Sequence, residues 1–131
     1  METVQGLVVT TDATMYVKEF SYPLHKSVGE VVGGWIEKVS PRGLRQPFCF
    51  LCNEEGLLKK LPLNYIGSAW YGTGVHGDPI VGNIVVMKIG YRGGERDIVG
   101  LEESEIAEIK ALVTRMSGGN VKEVNPDANL S

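Results

Sequence analysis

Five aromatic residues fall outside any regular pattern: Trp35, Tyr65, Trp70, Tyr71 and Tyr91 lie at strand starts or in loops. Around them stand Arg42, Arg45, Lys59, Lys60, Arg92 and Arg96. A nucleobase takes a flat aromatic face, worth ~1–3 kcal/mol per stacked base. A phosphate takes Arg or Lys, or backbone N–H groups in a glycine-rich turn. Asn53, Asn64 and Asn83 add amides able to read base edges. The candidate ligand-binding set is therefore Trp35, Arg42, Arg45, Asn53, Lys59, Asn64, Tyr65, Trp70, Tyr71, Tyr91 and Arg92. The bland alternative makes both tryptophans core or interface anchors and the cations solubilising.

Chemistry that makes or breaks bonds has less support. There is no GxSxG elbow and no GxxxxGK[ST] loop. Gly72-Thr-Gly-Val-His-Gly77 matches GxGxxG by letter. A dinucleotide fingerprint needs a strand before it and a helix after it. An irregular segment precedes this one and Asp78-Pro79 follows, so it reads as a glycine loop that could lie over a ligand. His76 with Asp78 could form an acid–base pair, and Glu54-Glu55 sits on a turn. No catalytic residue is assigned. Cys49 and Cys52 are the only cysteines. They have half the spacing of a zinc knuckle without a second half. Three apart on a strand, they face opposite sides, which favours plain buried thiols. No metal and no cofactor is expected.

The elements that must position these residues follow from periodicity. Val4–Thr10 and Thr14–Phe20 read as a hairpin of strands. Leu24, Val28, Val31 and Val32 recur at helical spacing, between Pro23 and Gly33-Gly34. Trp35–Ser40, Phe48–Cys52, Leu57–Leu61, Ile80–Ile89 and Arg96–Val99 read as further strands, with a helical turn near Asn64–Ala69. Glu102–Met116 is the best helix, acidic at its start and closed by Gly118. The fold class is α+β: a mainly antiparallel sheet of five to seven strands, one short helix and one C-terminal helix. Residues 1–118 form the domain and 119–131 a flexible tail.

Composition bounds the rest. The chain has 131 residues, 43% hydrophobic and 22% charged, which is ordinary globular usage. Glycine is the outlier: 17 residues, roughly twice the usual ~7%, which favours strands and loops over helices. The net charge of −3 excludes a basic coat for duplex nucleic acid, yet leaves room for a local anion pocket. Neither a signal peptide nor a membrane span is evident.

Four strings carry a resemblance. Val32-Gly-Gly-Trp-Ile-Glu37, Leu51-Cys-Asn-Glu-Glu-Gly56, Leu61-Pro-Leu-Asn64 and Ile80-Val-Gly-Asn83 occur in order before an acidic-start helix. This order resembles a family of small domains common in phages and mobile elements of Gram-positive bacteria, over roughly Val4–Val113. Trp35 stands where that family usually has Tyr, and the Gly67–Asp78 loop is longer than its pattern. The chain is also similar to phage nucleotide sponges, the anti-CBASS and anti-Thoeris proteins. That likeness implies a homo-oligomer (a dimer, tetramer or hexamer) in the host bacterial cytoplasm. It would bind a cyclic dinucleotide such as 3′,3′-cyclic GMP–AMP, or a cyclic ADP-ribose isomer, without cleaving it. The alternatives are an enzyme that degrades such a signal and an inhibitor that binds a host protein.

Overall fold

The computed structural model describes residues 2–72 and 77–125. Strands β1 (Thr3–Val9) and β2 (Thr14–Ser21) form a hairpin, closed where Thr10 N–H donates to Thr14 O at 2.9 Å. Helix α1 (Leu24–Val32) follows, then strands β3 (Ile36–Val39) and β4 (Phe48–Asn53). Helix α2 (Tyr65–Tyr71) precedes the antiparallel pair β5 (Ile84–Arg92) and β6 (Glu95–Val99). Helix α3 (Glu103–Met116) and the short β7 (Lys122–Glu123) are the last elements among the described residues. The sheet order is β3-β4-β5-β1-β2-β7, with β6 on the outer half of β5. All its pairings are antiparallel except β2 with β7. The α+β class, mostly antiparallel and with a C-terminal helix, is the one the periodicity predicts.

Helices cover both faces of this sheet. On one face Leu7, Val9, Phe48, Phe50, Ile84 and Val86 pack with Ile66 and Trp70 of α2 and Ile106, Ile109 and Val113 of α3. On the other, Val8, Phe20, Leu51, Val85 and Met87 pack with Leu24, Val28 and Val32 of α1. That explains the unbroken apolar run of β4, in which every residue is buried. A strand covered on both sides has no reason to alternate. Each fully buried large apolar side chain contributes ~1.5–3 kcal/mol relative to exposure. Cys49 and Cys52 are free and buried, and they point to opposite faces as their spacing requires.

Three local features differ from the sequence reading. Residues 57–60 of the expected strand Leu57–Leu61 are instead part of a turn that runs over 54–60. Gly56 permits this: a Cβ there would lie 2.6 Å from Val81 Cγ2, so only a glycine lets the backbone fold back this closely against Val81. The helical turn near Asn64 is a full helix, α2, because the Asn64 side chain caps it by accepting from Gly67 N–H at 3.0 Å. Ile80–Gly82 stays outside β5, making only an isolated bridge from Val81 to Leu63. Past Gly118 the chain remains on the domain as far as β7, with Val121 buried. Residues 126–131 lie outside the described residues.

Candidate functional site

The sequence-predicted residues divide by burial. Asn53 is buried; its Nδ2 donates to Val32 O at 3.1 Å and its Oδ1 accepts from Glu55 N–H at 2.8 Å. Lys59 Nζ donates to Gly33 O at 3.2 Å, and Asn83 Nδ2 to Val31 O at 3.3 Å. Three distant side chains thus satisfy the orphan carbonyls at the end of α1. Asn64 Nδ2 donates to Val9 O at 3.0 Å and Gly82 O at 2.9 Å, besides capping α2. Trp70 is fully buried and stacks on Phe50 with centroids 6.4 Å apart. Asn53, Asn64 and Trp70 are therefore framework: their amides are already spent on backbone groups, and the indole is core.

The exposed members are scattered. Arg45 makes a bidentate pair with Glu108 at 2.6 and 2.7 Å and lies over the Phe48 ring. Arg42 is exposed on the loop before it. Tyr65 lines a hollow of about 410 Å³ between α2 and the end of α3. Tyr71 lines a separate hollow of about 770 Å³. Trp35 stacks on His25 at 6.2 Å. His76 and the middle of the GxGxxG string lie outside the described residues.

Tyr91 and Arg92 lead to the surface where aromatic and basic groups meet. Tyr91 pairs with Arg96, and Ile89 with Ile98, so each pair shares a sheet face. By the two-residue period this is the face of Val85 and Met87, the α1 side. Lys38 pairs with Leu51 and lies on the same side. A nine-residue helix is about 13 Å long, whereas the nine-residue β5 spans about 30 Å. So α1 covers Val85 and Met87 and leaves the outer half of the face open as a shelf.

That shelf consists of two adjoining hollows, of about 560 and 290 Å³, which share Asp97 and Ile98. Ile36, Ile89 and Ile98 give it an apolar floor. Arg92 stands over the Tyr22 ring with its guanidinium carbon 3.6 Å from the centroid, tied to Glu2 at 2.9 Å. Tyr22 is fixed in turn, its hydroxyl donating to Ile98 O at 2.7 Å. Burial raises the Tyr22 hydroxyl above its ordinary pKa, so it stays a neutral donor. Lys38 and Arg96 have no carboxylate partner among the described residues. Arg92 is neutralised by Glu2 and lies 3.8 Å from Asp97, so Lys38 and Arg96 are the shelf's cations left without a carboxylate partner among the described residues; Asp97 also accepts from Ile98 N–H at 2.8 Å. The first turn of α1, which borders the shelf, carries no carboxylate, so its helix dipole adds to the positive field. Sequence reasoning missed Lys38, Tyr22 and Ile98 as members of one surface, because only the β3-β4-β5-β6 register unites them.

Cation, ring and apolar floor together can hold a flat anion by stacking and charge-assisted hydrogen bonds. Among the described residues no group of three or more His, Cys, Asp or Glu is placed to hold a metal ion. No helix among the described residues is long and apolar enough to cross a membrane.

The fold and shelf define a small α+β protein, its mostly antiparallel sheet clad on both faces, with a cationic shelf left uncovered at the outer end of β5. The chain belongs to the family described as a domain of unknown function, DUF3846, whose model matches residues 4–114. No curated protein and no solved structure matches the chain.

Proposed function

We propose that this protein binds a cyclic nucleotide signal on the shelf and sequesters it without cleavage. The observation that carries the reading is the pair Lys38 and Arg96, unpaired with any carboxylate among the described residues, beside Ile89 and Ile98. Uncompensated cations around an apolar floor favour an anion with a flat, poorly hydrated part. A cyclic dinucleotide such as 3′,3′-cyclic GMP–AMP, or a cyclic ADP-ribose isomer, has that chemistry. Tyr91, 76% exposed, offers a ring beside Arg96 on which a base could stack. The hollows approach the ~300–1,000 Å³ range of small-molecule sites.

A shelf open on one side buries only part of such a ligand. A second copy of the chain would supply the other wall, in keeping with the homo-oligomer that the likeness to phage sponges implies. An anti-defence role in a phage-infected bacterial cytoplasm rests on that likeness. In such a role the protein works by lowering free ligand, so affinity matters and turnover does not.

The test is recovery. The protein is incubated in turn with cyclic GMP–AMP and with cyclic ADP-ribose, separated from free ligand, and heat-denatured. Intact cyclic GMP–AMP released in stoichiometric amount is the expected result. Linear product in its place would assign a degrading enzyme, and no retained cyclic GMP–AMP or cyclic ADP-ribose would remove the reading.

A further inference from the structure

The hollow of about 770 Å³ lies on the other face of the sheet from the shelf. Glu37, which lines it, pairs with Cys52, and Cys52 belongs to the core under α2 and α3. Its charge is opposite to that of the shelf. Glu37, Glu54, Glu55 and Asp78 line it against one cation, Lys38. Glu37, Glu54 and Glu55 make no ion pair among the described residues. An anionic ligand is repelled here.

Two leucines also line this hollow in an unusual state. Leu57 is 50% and Leu58 83% exposed. The turn that carries them is fixed by its own backbone. Gly56 N–H donates to Asn53 O at 3.3 Å, Lys59 N–H to Glu55 O at 3.0 Å, and Leu61 N–H to Gly56 O at 3.1 Å. Glu55 N–H donates to Asn53 Oδ1, and Lys59 Nζ ties the turn to the end of α1. Such a turn presents the leucines to water on a fixed backbone, so binding through them costs little backbone ordering entropy.

We propose that this hollow docks an amphipathic basic segment of a protein partner. Its apolar side chains would cover Leu57 and Leu58, and its Lys or Arg residues would meet Glu37, Glu54 and Glu55. A polyamine satisfies the carboxylates and leaves the leucines in water. A nucleic acid is repelled by the carboxylates. The surface is separate from the shelf except for Lys38, at the edge strand between them.

The test is fluorescence anisotropy with the whole chain at ~0.15 M salt, where weak surface attraction is screened. The probe is a short labelled peptide of Leu and Lys in helical repeat. A Gly/Lys peptide of equal charge and spermine serve as competitors. Leu58→Ser and Glu54→Gln/Glu55→Gln are each expected to weaken the Leu/Lys peptide at least about tenfold, a difference of ~1.4 kcal/mol. Glu19→Gln/Glu30→Gln, which changes charge equally on the exposed surface elsewhere, is expected to leave it unchanged. The two site variants change different chemistry, so misfolding of one leaves the other decisive. Equal binding of the Gly/Lys peptide, full displacement by spermine, an equal loss in the control variant, or no binding of the probe would each overturn the proposal. Cyclic GMP–AMP affinity is expected to be unchanged in both site variants, so failure here is distinct from failure of the nucleotide reading.

Discussion

Arg45 and Arg96 look equivalent in a sequence, as exposed arginines near aromatic residues, yet their surroundings differ. Arg45 is neutralised by Glu108 through two short hydrogen bonds, whereas Arg96 has no carboxylate partner among the described residues. A hydrogen bond from a charged group to a ligand is worth ~1.5–3 kcal/mol. Arg96→Ala is therefore expected to weaken cyclic GMP–AMP at least about tenfold, and Arg45→Ala to leave it within about twofold. Calorimetric titration reads both, and equal losses would show the shelf to be wrongly placed. Asn64 makes the opposite prediction. It donates two hydrogen bonds to backbone carbonyls and accepts one from a backbone N–H, so Asn64→Ala removes a helix cap and strands two carbonyls. A loss of about 2–4 kcal/mol in urea unfolding is expected, with an effect under ~0.5 kcal/mol contradicting it. An asparagine that reads a base and one that caps a helix have the same letter and the same turn-like neighbours. That is why Asn53 and Asn64 were legible as special and illegible as structural.

At the scale of elements, the start of α3 is held by one carboxylate. Glu105 Oε1 accepts from Glu102 N–H at 2.8 Å and from Lys88 Nζ at 2.8 Å, joining the helix cap to β5. Burial alone would raise this carboxyl, but the Lys88 hydrogen bond, the Glu102 N–H and the Lys88 charge outweigh it and hold it below its ordinary value. A lowered carboxyl stabilises the fold above the unfolded value and loses that contribution as pH falls through the folded one. Stability measured by urea unfolding is thus expected to drop below about pH 4.5. Glu105→Gln should remove that part of the drop and cost about 1 kcal/mol at neutral pH, since the pair is only partly buried. An unchanged acid profile would contradict the assignment. The strands and long helix were legible because β1 is a run of apolar and β-branched residues while β2 alternates and α3 keeps a helical period. The stretch Leu57–Leu61 was not, because two leucines before a lysine pair look like half a strand. What lets them turn is the close approach of Gly56 to Val81, a contact between residues far apart in the chain.

For the whole molecule, the decisive feature is a sheet clad on both faces by helices of unequal reach. Its centre is so closed that both cysteines are pushed up, Cys49 to about 11 and Cys52 to about 12, by burial above all. A thiol raised in the folded state adds no pH dependence below its ordinary value of 9.0, and stability then falls as pH rises towards 11–12. Neither thiol should react with a thiol reagent at pH 8 until denaturant is added, and rapid labelling of the native protein would contradict the packing. At the outer end of β5 the cover stops, because α1 is short, and the cationic shelf is what remains. Length and glycine content foretold a strand-rich domain, and the mild acidity left room for a local anion pocket, but only strand register showed which of many cations lie together on the shelf. Nucleotide binding on that shelf is tested most directly by calorimetric titration of 3′,3′-cyclic GMP–AMP into the native chain and its Lys38→Ala/Arg96→Ala variant. Saturable binding by the native chain, weakened at least about a hundredfold in a variant of unchanged melting temperature, is the predicted result. Equal affinity in the two proteins, or none in either, would contradict it.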